Sequence, residues 1–352
     1  MEKAVLVLED GTYYTGKPLG KRGETCGEVV FNTCMTGYQE ILTDPSYKGQ
    51  IVTMTYPLIG NYGLNIKDSE SPRIQAEGFI VKEACEYFSG SGALFSLDDY
   101  LEKEGVTGLV GVDTRALTKH IRIHGSMFGI ISSVSGNVEN LLQKLREDMK
   151  KSKCLVSLVS TKKIIHSPGK GKRVVVIDFG CKENIIRSLK SFEMDIYTVP
   201  YDTNVKKIMD IDPVGIMLSN GPGDPADLKV SIENIKILAG SKPIWGICLG
   251  HQLLGLALGG TTYKLKFGHH GGNHAVKNLE ENKCRITSQN HNYALSSELP
   301  DDMIVSEINV NDGTVEGICH LRHNIKAVQY HPEACPGPAD SDHFFSDFAA
   351  SI

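Results

Sequence analysis

From Val174 onward, short unbroken apolar runs recur with helical stretches between them, and this pattern constrains the fold more than any other feature of the chain. Val174-Val175-Val176-Ile177 leads into Asp178, and Ile185, Ile186 and Leu189 follow at helical spacing. Asp195-Ile196-Tyr197-Thr198-Val199, Gly215-Ile216-Met217-Leu218-Ser219 and Pro243-Ile244-Trp245-Gly246-Ile247 repeat the theme. A strand buried on both faces has no polar alternation, because neither side meets water. Strands alternating with helices predict a doubly wound, mostly parallel sheet covered on both faces, an α/β fold. In such sheets, sites form beyond the carboxyl ends of the strands, so the residues following each run are where chemistry is to be sought.

The first half reads differently. Ala4 to Leu8, Gly27 to Thr33 and Gln50 to Pro57 are β-branched runs bounded by Gly, Pro, Asn and Asp, and predict strands. Asp113 to Arg122 predicts a helix, with Asp113 as N-cap and basic residues gathered at its C-terminal end. Strands and helices mix here without a clean βαβ rhythm, which predicts a smaller α+β domain. Ser167-Pro168-Gly169-Lys170-Gly171-Lys172-Arg173 is breaker-rich and lacks apolar periodicity, so it reads as a linker. The expected domains span 1–165 and 172–352.

Composition narrows the class. With 352 residues the chain is long enough to bury a large core, and 41% hydrophobic with 22% charged residues fits an ordinary globular protein. The formal net charge is −5 and no long basic run occurs, so a phosphate-tracking nucleic-acid surface is not expected. Lys150-Lys151-Ser152-Lys153 is short and reads as a solvated turn. Nine cysteines at irregular spacing argue against a disulfide framework and for a reducing, cytoplasmic setting. The opening Met1-Glu2-Lys3-Ala4-Val5-Leu6-Val7-Leu8-Glu9 holds too short an apolar run for a signal core or a membrane span, and reads as a strand.

The strongest chemical motif is Gly246-Ile247-Cys248-Leu249-Gly250-His251-Gln252, set between a buried strand and the apolar stretch Leu253 to Leu258. It is the cysteine counterpart of a nucleophile elbow. The glycines flank Cys248 because a sharp strand-to-helix turn leaves no room for a Cβ on either side. The helix N-terminus beneath the sulfur favours its anionic form. A buried structural cysteine is the commonest fate of a free thiol and fits the other eight; the strand–turn–helix context sets Cys248 apart.

A thiolate needs a base. Ile325 to Tyr330 reads as a strand ending at His331-Pro332-Glu333. His331 is placed to take the thiol proton and return it to a leaving amine, and Glu333 to orient the imidazole and stabilise its charged form. Alone this triplet is weak; with the elbow it makes a Cys-His-acid set. Ser219-Asn220-Gly221-Pro222-Gly223-Asp224-Pro225 follows another strand and forms a rigid loop. Its exposed amides, with that of Leu249, can hold an oxyanion.

Together these three motifs resemble the class I glutamine amidotransferases, whose sheet is flavodoxin-like. The longer context resembles the small, glutamine-hydrolysing subunits of carbamoyl phosphate synthetases. It comprises Ile177 to Ile185, Lys266-Phe267-Gly268-His269-His270-Gly271-Gly272-Asn273-His274, Ser288-Gln289-Asn290-His291 and His331-Pro332-Glu333-Ala334. The first half carries the same resemblance in Asn32 to Tyr47, Tyr56 to Gly63 and Asp113-Thr114-Arg115, so the likeness covers essentially the whole chain. It implies Cys248, His331 and Glu333 as the catalytic set. It implies an L-glutamine site drawing on Ser46, Gly221, Gly223, Leu249, Gln252, Asn290, Asn292 and Tyr293. Positions 292 and 293 depart from the family's usual Gly and Phe.

The resemblance also implies a large synthetase subunit as partner, which receives ammonia and makes carbamoyl phosphate from bicarbonate and ATP, for arginine or pyrimidine synthesis. ATP and divalent metal are expected on that subunit and no cofactor in this one. No metal is expected at His269, His270 and His274, where the intervening glycines read as a loop. Neither a dinucleotide nor a P-loop fingerprint follows a strand at the required spacing. Two rivals are a glutaminase serving the anthranilate or GMP systems, which the first half argues against, and a non-catalytic scaffold subunit, which the intact triad argues against.

Overall fold

The structure, a computed structural model, describes residues 3–151 and 154–352. Met1 and Glu2 of the opening run, and Ser152 and Lys153 of the basic stretch, lie outside the described residues. The chain forms two compact units, Met1–Lys153 with Lys266–His270, and Cys154–Leu265 with Gly271–Ile352. The breaker-rich stretch 167–173 lies inside the second unit, between strands Ile165–Ser167 and Arg173–Asp178.

In the first unit seven strands close into a barrel. Their order around it is Ala4–Leu8, Tyr13–Gly20, Thr107–Val110, Gly78–Val81, Gln50–Met54, Glu24–Asn32 and Met127–Ser132. Side chains alternate across each strand. Val29 and Phe31 therefore join Leu6, Leu8, Ile51, Ile80, Leu109 and Ile131 in one cluster drawn from around the ring. Val30, between them, turns the other way, to Val52, Phe79 and the helical residues Ile41, Leu42, Leu97 and Leu101. Gly129 is small of necessity, since a Cβ there would lie 2.6 Å from Val29 Cγ2. Helix Thr114–His124 starts where expected, the Asp113 carboxylate accepting the Ala116 N–H at 2.9 Å. It adds Leu117 and Ile121 to the ring cluster.

The second unit is built on a ten-stranded sheet. Its parallel part runs Asp195–Pro200, Arg173–Asp178, Gly215–Leu218, Ile244–Ile247 and Ile325–Val328. Numbered along the chain this is the order 2-1-3-4-5 of a flavodoxin-like doubly wound sheet. Ile165–Ser167 adds an antiparallel strand at one edge. Val315–His320, Met303–Asn309, Thr262–Asn278 and Lys283–Leu295 extend the other side. Both faces are covered. Val175, Ile177, Ile216 and Leu218 pack with Ile235, Leu253 and Leu254, while Val174, Val176, Met217 and Trp245 pack with Ile185, Leu189, Phe344 and Phe348.

Two expectations need correction. The histidine-rich stretch 269–274, whose intervening glycines read as a loop, lies within the strand Thr262–Asn278. The strand expected to reach Tyr330 ends at Val328, which leaves Gln329 and Tyr330 in the turn leading to His331. Among the described residues no helix is long and apolar enough to cross a membrane.

Candidate active site

Cys248 lies between the C-terminus of strand Ile244–Ile247 and helix Leu249–Ala257, with φ 53 and ψ −103. That region is sparsely populated for any residue with a Cβ and costs on the order of 1–3 kcal/mol, which the surroundings must supply. They do so through tight backbone packing. The Cys248 N–H donates to Val328 O at 2.8 Å, and the Gly250 N–H to Ser219 O at 3.1 Å. A Cβ on Gly246 would lie 2.7 Å from Gly250 C, and one on Gly250 would lie 2.5 Å from Leu218 O. Both glycines are therefore required by contact with backbone, as expected for an elbow.

Behind the thiol is a buried charged chain. His331 Nδ1 and Glu333 Oε1 are 2.6 Å apart, and both side chains are essentially inaccessible. Lys182 Nζ lies 3.1 Å from the same carboxylate oxygen and donates to Ala334 O at 2.5 Å. Burial alone would raise the Glu333 carboxyl; the Lys182 ammonium and the His331 imidazole overcome it and hold the group well below its ordinary range. Burial alone would lower His331; the charge of Glu333, then Cys248, overcomes it and holds the imidazole well above its ordinary range. Nδ1 is engaged by Glu333, while Nε2 is buried and, among the described residues, closes no well-formed hydrogen bond. Cys248 is nevertheless near enough to act on the ring by charge.

The His331–Glu333 turn is pinned from several sides. The His331 N–H donates to Ser288 O at 2.9 Å, and Asn184 Nδ2 to Glu333 O at 2.5 Å. Ala334 and Cys335 follow at φ 54 and φ 49, so the strained backbone sits directly beside the buried pair.

Glutamine-site candidates in the second unit gather around the elbow. The Cys248 thiol donates to Asn290 O at 3.5 Å. Gln252 Nε2 donates to Tyr293 O at 2.7 Å. Asn290, Asn292 and Tyr293 all lie on strand Lys283–Leu295, with Asn290 and Asn292 buried. Gly221 is pressed against the loop after strand Arg173–Asp178, where a Cβ would lie 2.3 Å from Phe179 O, and Gly223 has φ 93. The Leu249 N–H opens a helix, whose first-turn amides have no partner within the helix. Ser46 belongs to the first unit, in the short 3-10 turn Pro45–Tyr47, where its N–H donates to Asp44 Oδ1 at 2.8 Å.

Two residues escaped the sequence reading. Lys182 stands just before helix Glu183–Ser191, and its only signal is its place in the run Asp178 to Asn184. Gln329 contacts both Cys248 and Gln252 yet stands two residues before His331 with no motif of its own. The arrangement is chemically suited to acyl transfer: a buried thiol on a strained elbow, an imidazole whose protonated form is stabilised, and a carboxylate that orients it.

A family model for the carbamoyl-phosphate synthase small chain, CPSase domain, matches residues 6–131, and one for glutamine amidotransferase class-I matches residues 175–351. The carbamoyl phosphate synthase small chain of Clostridium perfringens is 51% identical over 346 residues, covering 98% of each chain. That of Aquifex aeolicus is 52% identical over 362 residues, covering 98% of this chain and 97% of the relative. The carbamoyl phosphate synthase pyrimidine-specific small chain of Bacillus subtilis is 48% identical over 351 residues, covering 99% and 96%.

Proposed function

The chain belongs to the carbamoyl phosphate synthase small-chain family, and on that premise we propose that Cys248, His331 and Glu333 hydrolyse L-glutamine to feed ammonia to a large synthetase subunit. The observation that carries the catalytic assignment is the buried 2.6 Å His331–Glu333 pair facing an elbow cysteine at φ 53.

Cys248 sulfur attacks the side-chain amide carbon of glutamine after its proton passes to His331. The C–S bond forms and the carbonyl electrons move to oxygen, where the amides of Leu249 and of the Gly221–Gly223 loop hold the charge. The tetrahedral centre collapses, the C–N bond breaks, and His331 delivers its proton to the departing ammonia. Water, deprotonated by His331, then cleaves the thioester to glutamate and regenerates Cys248. Gln252, Asn290, Asn292 and Tyr293 bind and orient glutamine, and Ser46 is assigned to the same substrate by its place in the family pattern.

The partner is the large subunit, which carries ATP and its divalent metal and joins ammonia to bicarbonate; the pair works in the cytoplasm as a heterodimeric unit. Its carbamoyl phosphate supplies pyrimidine synthesis, arginine synthesis, or both.

The test mixes the chain with its large subunit, bicarbonate and MgATP. Wild type is expected to form carbamoyl phosphate from glutamine or from ammonium. Cys248→Ser is expected to lose the glutamine reaction and keep the ammonium one. Glutamine-dependent product from Cys248→Ser would overturn the proposal.

A further inference from the structure

We propose that Gln329 is a further residue of the reaction, its amide gripping the Cys248 sulfur at one end and the Gln252 side chain at the other. This inference rests on the glutaminase reading of Cys248 given above.

Gln329 is completely buried and sits just past the end of strand Ile325–Val328. Its backbone N–H donates to Glu316 O at 2.8 Å, which fixes where the side chain starts. Its Nε2 donates to Cys248 Sγ at 3.7 Å, and its Oε1 accepts from Gln252 Nε2 at 3.0 Å.

The direction of this chain follows from donor and acceptor inventory. Tyr293 O can only accept, so Gln252 must present its NH2 group there, at 2.7 Å. That same NH2 faces Gln329, so Gln329 must present oxygen to it. Its own NH2 is thereby turned to the sulfur. Reversing the Gln329 amide would set two donors together and leave the sulfur facing an oxygen lone pair. The backbone of strand Lys283–Leu295 thus sets the polarity of the contact at the nucleophile, through two glutamines in series.

The consequence is chemical. A neutral N–H···S contact strengthens when the sulfur carries charge. Cys248 is anionic before it attacks, and again when the C–S bond of the thioester breaks and the electron pair returns to sulfur. Gln329 supports it at both points. The other end of the amide holds Gln252, a glutamine-binding residue of the proposed function. Nucleophile and substrate pocket are therefore linked by one buried side chain.

The experiment uses the full chain in complex with its large subunit. Wild type, Gln329→Met, Gln329→Leu and Cys248→Ser are compared for glutamate release. They are also compared for alkylation of Cys248 by iodoacetamide, a small reagent that does not need the glutamine pocket. Circular dichroism establishes native folding. Gln329→Met keeps side-chain length and removes both hydrogen bonds. The expected result is kcat lower by about tenfold or more, a higher KM, and alkylation slowed by about tenfold. A natively folded Met or Leu variant with wild-type kcat and wild-type alkylation overturns the proposal. So does failure of both variants to reach the native fold, which would make Gln329 structural. Failure of the underlying reading is separate: it shows in wild type, as glutamate release that Cys248→Ser does not abolish.

Discussion

Replacing Glu333 by Gln keeps the shape of the His331 partner and removes its charge. At the 2.6 Å separation and an effective dielectric of about 20, two unit charges attract by about 6 kcal/mol before desolvation is subtracted. Burial of the imidazolium opposes that attraction and is the largest single influence on His331. A net loss of roughly 3–5 kcal/mol is the expectation for removing one member of a buried pair. If that loss falls on the imidazolium-bearing steps, kcat drops by about 10²- to 10⁴-fold. His331 should then titrate lower than in wild type, because the carboxylate no longer opposes burial.

The variant also removes the negative charge beside the Lys182 ammonium, which is 2% exposed. Adding Lys182→Met should recover folding stability without recovering the rate. The assay is initial-rate glutamate release, with His331 followed by NMR and unfolding by denaturant. A Glu333→Gln enzyme with kcat within a factor of a few of wild type at neutral pH would refute the electrostatic argument, as would an unmoved His331 titration.

Two further predictions follow from the elbow. Gly250→Ala forces a Cβ to 2.5 Å from Leu218 O, a backbone atom that has little freedom to retreat, so denaturant unfolding should show a loss of about 1–3 kcal/mol or more. His251, buried beneath the elbow, is held down to about 3, chiefly by burial, against a smaller opposing effect of Gln329. Its folded pKa is below its unfolded value, so the unfolded chain takes up the proton first. Stability is full above about pH 6.5 and falls as pH drops toward 3, by at most about 1.4 kcal/mol per unit. His331 acts in the opposite sense, its contribution being complete below about pH 6.5 and lost as pH rises through its elevated folded pKa, about 10. Unfolding measured against pH should therefore show a flatter acid limb in His251→Asn than in wild type; parallel curves would contradict the assignment.

The sheet and the elbow were legible because their signals are local. Val174 to Ile177 and Ile244 to Ile247 are buried on both faces, so their composition announces parallel strands. Gly246 and Gly250 mark a turn that tolerates nothing larger. The pairing of His331 with Glu333 was legible in their spacing, which already fits an imidazole beside an acid. Closure of the first unit into a barrel was not legible, since it depends on Ala4–Leu8 meeting Met127–Ser132, a pairing across most of that unit. The strand through Gly271 and Gly272 was misread because glycine marks a loop by local preference, whereas ladder pairing decided the outcome. Lys182 and Gln329 were missed for a related reason. Each acts through contacts with residues far along the chain, Lys182 with Glu333 and Ala334, Gln329 with Cys248 and Gln252, and neither carries a local pattern that forecasts them.

The central claim is that Cys248 is the atom that glutamine acylates. Treating the assembled complex with an electrophilic glutamine analogue and mapping the adduct by mass spectrometry tests it directly. The expected result is one adduct per chain, on Cys248, slowed by added glutamine and absent from Cys248→Ser. An adduct elsewhere, or one that persists in Cys248→Ser, would contradict the account.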